Sequence, residues 1–319
     1  MRAVRLVVMT LAGLFVPLIT PFTADGTIAA DALERLAHEV LDDGATGIVA
    51  LGTTGEPATL TDAERAQVVA VCAGVCRERD APLIVGVGSN DTAASAAALA
   101  DLDPHSTAAL TVVPYYTRPS EAGVLAHFRE LAAAAPVPLI VYHIPYRTGL
   151  SLGLDTLLAL ADLPNVIGLK HAAGAVDDAT IALMGARPAD FAVLAGDDRF
   201  AAPLLALGAS GAIAASAAVH TSSFAALVTA WRDGPVGAAR SLGHRLAALS
   251  GALFAEPNPT VIKAVLAAQG RIPSAAVRLP LLPASEAATL AALAVLAEFP
   301  APGIADHWCN GHEGATLKR

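Results

Sequence analysis

Eight short apolar runs recur along the chain, each followed by a segment long enough to form a helix. They are LFVPLIT (14–20), GIVALG (47–52), PLIVGVG (82–88), ALTVVP (109–114), PLIVYHI (138–144), NVIGLK (165–170), FAVLAG (191–196) and GAIAAS (211–216). Within each run the apolar residues are continuous and do not alternate with polar ones. That is the pattern of parallel strands covered on both faces. Eight evenly spaced strand–helix units predict a (β/α)8 TIM barrel over residues 13–235. A doubly wound sheet is the competitor, and the lack of an inserted domain disfavours it. DAERAQVVAVCAGVCRERD (62–80) and SEAGVLAHFRELAAAA (120–135) read as covering helices, capped near Thr61-Asp62 and Ser120-Glu121.

After residue 235 the pattern turns purely helical, at about 236–251, 259–269 and 285–298, predicting a small C-terminal helical region over 236–298. Residues 299–319 read as a mobile tail; its HWCNGH places two histidines beside Cys309, a weak metal pattern against which a frayed end is favoured. Residues 1–12 read as an extension, with Met9 an alternative start. Arg2 and Arg5 ahead of an apolar run imitate a secretory signal, but Pro17 interrupts the run and no small-x-small cleavage site follows. The run is also too short to span a membrane.

A hydrophobic content of 55% against 15% charged residues suits a large core and excludes disorder. A net charge of −9 without a basic run argues against nucleic acid as a partner. Cys72, Cys76 and Cys309 form no disulfide framework. Cys72 and Cys76, four apart on an apolar helical face, read as core packing, which favours a reducing cytoplasm.

Barrel sites are built at the carboxyl ends of strands. There the chain offers Thr53 and Thr54 in GTTGE, Tyr115, Tyr116 and Arg118 in PYYTRPS, and Tyr142, His143 and Arg147 in YHIPYRTG. Lys170, GDD (196–198) and Ile213 complete the set. Lysine is scarce here, with only Lys170, Lys263 and Lys318, so an ammonium at the end of a buried strand is a costly choice. Burial lowers an amine's pKa, and a neutral amine attacks a ketone to give an imine. A phenol such as Tyr142 can move the protons that carbinolamine collapse requires. The GTTG turn offers unobstructed N–H groups and two hydroxyls to a carboxylate, and Arg147 a planar fork to a second anion. Each residue also has a plainer reading. Lys170 reads as a structural cation paired with Asp197 or Asp198, the tyrosines as packing, GTTGE as a capped loop and Arg147 as surface. Their joint occurrence at strand ends favours chemistry. No metal constellation, P-loop or dinucleotide fingerprint accompanies them, so no cofactor is expected.

GTTGE (52–56), PYYTRPS (114–120), YHIPYRTG (142–149) and GLKHA (168–172), with LITPF (18–22), GDD (196–198) and EPNP (256–259), resemble the dihydrodipicolinate synthase and N-acetylneuraminate lyase family. The likeness covers about residues 13–298. It implies a class I, Schiff-base, pyruvate-dependent lyase with Lys170 forming the imine and Tyr142 donating and accepting protons. It further implies that Thr53 links Tyr142 to Tyr116 of a neighbouring subunit, hence a homo-oligomer, commonly a dimer of dimers. Thr54 and Ile213 would contact pyruvate, and Arg147 would hold the acceptor's carboxylate.

Thr53-Thr54, PYY with RPS, and Arg147 in RTG favour the synthase branch. That branch condenses pyruvate with L-aspartate 4-semialdehyde to 4-hydroxy-tetrahydrodipicolinate in lysine and diaminopimelate synthesis. His143, Tyr146 and His171 depart from its pattern and are expected to reshape the acceptor wall. The alternatives are a 2-keto-3-deoxy sugar acid or sialate aldolase or dehydratase, and a catalytically silent 2-oxo-acid-binding paralogue. PATLTDAER (57–65) lacks histidine and NDTAASAAA (90–98) lacks glutamate, which implies weak or absent feedback by lysine.

Overall fold

The computed structural model describes residues 11–299. All eight apolar runs become strands: β1 Gly13–Pro17, β2 Gly47–Ala50, β3 Leu83–Gly86, β4 Ala108–Val112, β5 Leu139–His143, β6 Val166–His171, β7 Ala192–Ala195 and β8 Gly211–Ile213. They pair in parallel, each with the next, and β8 returns to β1 to close a barrel. The fold class is therefore the (β/α)8 barrel. Most strands stop before the apolar run does, because the last residues of each run curl outward into the loops of the barrel mouth.

The seam that closes the ring opens on a pair of glycines. Gly13 stands in register with Gly211, and a Cβ on Gly211 would lie 1.9 Å from the Gly13 carbonyl oxygen. Only a bare backbone permits that approach.

The helices are α1 Ala30–Asp42, α2 Asp62–Glu78, α3 Thr92–Ala100, α4 Glu121–Ala134, α5 Pro145–Thr148, α6 Leu154–Ala161, α7 Asp178–Ala186, α8 Ala201–Ala206 and α9 Thr221–Asp233. Three more follow the barrel: α10 Val236–Leu253, α11 Thr260–Ala268 and α12 Glu286–Leu296. Their starts follow from local chemistry. Thr61 and Glu64 form a reciprocal capping box on α2, and Ser120 accepts the Gly123 N–H at the start of α4. Each such cap contributes about 1 kcal/mol.

The core has an inner and an outer part. Phe15, Val49, Ile84, Leu110, Ile140, Leu194 and Ile213 fill the barrel interior, while the alternate strand residues pack against the helices. Cys72 and Cys76 lie in the outer layer on α2, buried as free thiols. Burial raises the Cys72 thiol to about 12 and the Cys76 thiol to about 11, so neither is a thiolate at neutral pH. Among the described residues no helix is long and apolar enough to cross a membrane. The HWCNGH cluster lies outside the described residues.

The C-terminal helices are bound to the barrel by buried polar contacts as well as apolar ones. On α11, Lys263 is fully buried and pairs with Glu56, the last residue of GTTGE, while also donating to the Ala276 carbonyl at 2.9 Å. Arg278 donates its backbone N–H to Glu56 at 3.1 Å and forks onto Glu64 at 2.9 and 2.5 Å. That pairing holds the Glu64 carboxyl down at about 2.

Candidate active site

β5 and β6 set the centre of the site. Their register places Tyr142 opposite Lys170 and His143 opposite His171. Because side chains alternate along a strand, these two pairs must face opposite ways. Tyr142 belongs to the interior cluster, and Lys170 Nζ lies 4.2 Å from the centre of its ring.

Lys170 is 5% exposed, and among the described residues it has no hydrogen bond and no ion-pair partner. Burial lowers its pKa to about 8; Asp198 pulls the other way and Arg147 adds to the lowering. The structural-cation reading is thereby corrected. Asp198 does not pair with Lys170 but accepts the Ser216 N–H at 2.6 Å, and burial raises its carboxyl to about 6. The lysine's stem is seated by Gly196 at the end of β7. A Cβ there would lie 2.5 Å from Lys170 Cγ and 2.9 Å from Cε, so any side chain at 196 would displace the amine.

Burial raises the Tyr142 phenol well above its ordinary value, with the Thr53 hydroxyl bonded to it opposing the rise. The phenol therefore stays protonated, ready to donate. Thr53 and Thr54 follow β2 on a single 3-10 turn, Thr53–Gly55, which ends at Glu56 in the left-handed region (φ 54°). Thr54 is buried and its Oγ1 accepts a hydrogen bond from Asn258 Nδ2 at 3.0 Å. Ile213 closes the barrel interior at the end of β8.

Above these groups lies a cleft of about 440 Å3 lined by Tyr146, Arg147, Gly196, Asp197, Arg199 and Asn258, among others. Arg147 stands on α5, the single turn that directly follows β5. Gly196 joins the cleft to Lys170, since it borders one and supports the other.

Tyr116 is not brought to this centre within one chain. It is 88% exposed, in a loop where both Tyr116 and Arg118 adopt positive φ, of 68° and 49°. Asn90 bonds the Tyr115 carbonyl at 3.2 Å and Arg118 bonds the Gly149 carbonyl at 2.8 Å, so the loop is pinned with its tyrosine outward. Strained backbone of this kind persists only where its surroundings enforce it.

Two expectations about the acceptor wall are overturned. His143 and His171 face the helical layer, not the cleft. His171 Nε2 bonds Thr180 Oγ1 on α7 at 3.0 Å, Thr180 in turn donates to Asp177, and the two imidazoles meet edge to face at 6.4 Å. Burial lowers both, His143 to about 4, so they are neutral and add no charge to the mouth. Tyr146 does line the cleft, 63% exposed beside Arg147.

The arrangement thus offers a dry, unpaired amine, an adjacent phenol with a hydroxyl behind it, a hydroxyl-bearing turn and a cleft with a guanidinium. Gly196 and Asn258 had no assigned role on sequence grounds. GDD and EPNP were visible as motifs, but what each residue touches was not.

Residues 10–298 match the dihydrodipicolinate synthetase family. A 4-hydroxy-tetrahydrodipicolinate synthase of Neisseria gonorrhoeae is 40% identical over 278 residues, covering 86% of this chain and 94% of the relative. One from Methanothrix thermoacetophila is 36% identical, covering 86% and 92%. Among solved structures, a chloride-inhibited dihydrodipicolinate synthase from Acinetobacter baumannii, complexed with pyruvate, superposes with a TM-score of 0.86. It is 35% identical, and the match covers 91% of this chain and 99% of that one.

Proposed function

The chain belongs to the dihydrodipicolinate synthetase family, and we propose that it condenses pyruvate with L-aspartate 4-semialdehyde to 4-hydroxy-tetrahydrodipicolinate through an imine on Lys170. The observation that carries this reading is the Lys170 amine itself, buried, unpaired and lowered to about 8. At neutral pH a useful fraction is uncharged and nucleophilic, roughly a tenth at pH 7.

Neutral Lys170 attacks C2 of pyruvate, and Tyr142 gives a proton to the developing alkoxide. The phenolate recovers a proton from the carbinolamine nitrogen and gives it to the hydroxyl, which leaves as water as the C=N+ bond forms. Loss of a C3 proton gives an enamine, whose carbon attacks the aldehyde. The substrate's own amine then displaces Lys170 and closes the ring, freeing the enzyme. Thr53 passes protons between Tyr142 and Tyr116 of a second copy, which suits a tyrosine held outward and exposed. The protein then works as a homo-oligomer, in the family's manner a dimer of dimers. Thr54 and Ile213 contact pyruvate. Arg147, on the cleft wall, takes the carboxylate of the semialdehyde. No cofactor is needed, since the imine is the electron sink, and the reaction belongs in the cytoplasm beside its small-molecule substrates. Residues 13–235 carry the barrel chemistry and 236–298 form its helical support. Lysine inhibits weakly or not at all, because the helix after GTTGE has no histidine and 90–98 has no glutamate.

Borohydride reduction with pyruvate followed by peptide mass spectrometry tests the chemistry. A Lys170 adduct is expected, lost in Lys170→Arg, and its absence from the unaltered protein would sink the mechanism. Turnover with aspartate semialdehyde, compared with a panel of keto-deoxy sugar acids, tests the acceptor. Arg147→Ala should lose turnover with the acidic aldehyde roughly a hundredfold while keeping the pyruvate adduct. Equal loss of both would remove the role given to Arg147.

A further inference from the structure

We infer that Asn258 is a positioning residue, whose carboxamide fixes the Thr54 hydroxyl as a donor to the carboxylate of the 2-oxo acid. The inference rests on the imine reading above and deepens it. Asn258 lies in the connection between α10 and α11, 204 residues from Thr54 along the chain, yet its Nδ2 meets Thr54 Oγ1 at 3.0 Å. It also lines the cleft, so it stands between the helical region and the substrate.

The physical argument concerns the direction of one hydrogen bond. A threonine hydroxyl has one proton and two lone pairs. Left alone it rotates, and near an anion it must first be oriented. An amide N–H donated into one lone pair removes that freedom and obliges the hydroxyl to send its proton elsewhere. Thr54 is 4% exposed, and no acceptor within the described residues takes that proton. A substrate carboxylate at the turn would take it. Asn258 Oδ1 is buried and also without a partner among the described residues, so no second contact holds the amide in place of this one. The turn itself is anchored independently at its far end by Glu56, through Lys263 and the Arg278 N–H. Asn258 is therefore free to act on hydroxyl orientation without being the turn's main support.

The test is a hydride-trapping titration of Lys170 with two ketones: pyruvate, and acetone, which replaces the carboxylate by a methyl group. Asn258→Asp is nearly isosteric but can only accept, so it would draw the Thr54 proton to itself. Asn258→Ala and Asn258→Ser remove the donor without adding charge and stand in should the aspartate variant fold poorly. The concentration of pyruvate giving half-maximal adduct should rise roughly ten- to a hundredfold, the size of a lost bond to a charged group. Trapping by acetone should stay within about twofold. In a Thr54→Val background the Asn258 changes should add nothing further, since the hydroxyl they act through is gone. Unchanged pyruvate dependence, an equal loss with both ketones, or effects that add fully to Thr54→Val would each overturn the inference. An unaltered protein that traps neither ketone would be a different failure, that of the imine reading itself.

Discussion

Among the described residues two lysines are buried, and their surroundings have little in common. Lys170 is 5% exposed at the barrel mouth, with an aromatic face at 4.2 Å and no hydrogen-bond or ion-pair partner among the described residues. Lys263 is fully buried between α11 and the GTTGE turn, bonded to Glu56 and the Ala276 carbonyl, with the Phe22 ring centre at 4.0 Å. Burial lowers both amines to about 8, but for Lys263 the opposing charge and hydrogen bond of Glu56 push back. Burial alone therefore does not make a nucleophile. What separates the two is whether the ammonium's protons have acceptors. Lys263 is built to keep its proton and hold two segments together; Lys170 is built to lose it.

The contrast should be sharpest in stability, where the two residues ought to act with opposite sign. Lys263→Met leaves Glu56 charged in the interior without its ion-pair partner, held only by the Arg278 N–H, and should destabilise the fold by about 3–5 kcal/mol. Denaturant melts would measure this, and Glu56→Leu combined with Lys263→Met should recover much of the loss. The Lys263→Met protein, where folded, should still form the pyruvate adduct at Lys170. If it were as stable as the parent, the pair would not be the anchor described above.

Lys170→Met should do the reverse. The amine's pKa falls from 10.5 to about 8, which corresponds to a cost of roughly 3 kcal/mol at neutral pH. Removing it should stabilise the protein by about 1–3 kcal/mol while abolishing the adduct, an exchange of stability for activity common at catalytic sites. A lower melting point for Lys170→Met would contradict the dry, unpaired description.

The pH dependence gives a smaller effect of fixed sign. Between pH 8 and 10.5 the unfolded chain holds a proton at position 170 that the folded chain has released. Stability from this group therefore rises with pH across that window, and the advantage of Lys170→Met should shrink there. In step with it, the initial rate of imine trapping should climb as pH rises through about 8 and level off above. A rate independent of pH from 6 to 9 would mean that the amine is not the group being titrated.

How much of this could be read along the chain depends on the residue. The strands were legible because a parallel strand buried on both faces must be apolar throughout, and no other element of that length needs to be. The same property hid the direction of each side chain. In an alternating strand, His143 and His171 would have been seen to face away from Tyr142 and Lys170. In a continuously apolar one no polar face marks the difference, so both histidines were assigned to the acceptor wall, when His171 bonds Thr180 on α7 and His143 packs edge to face against His171. Gly196 illustrates a second limit. Its role is the space it leaves for the lysine stem, and space between two strands has no signature in either strand's sequence.

The order of residues alone determined an eightfold strand–helix pattern, a lysine and a tyrosine at adjacent strand ends, and a hydroxyl-bearing turn suited to a carboxylate. Tertiary structure alone decided which buried lysine has a counter-ion, which aspartate is occupied elsewhere, and that Asn258 reaches Thr54 across 204 residues. The reason is physical. Periodicity and turn chemistry act between near neighbours in the chain, whereas protonation and hydrogen-bond direction are set by whatever lies within a few ångströms, however distant in sequence.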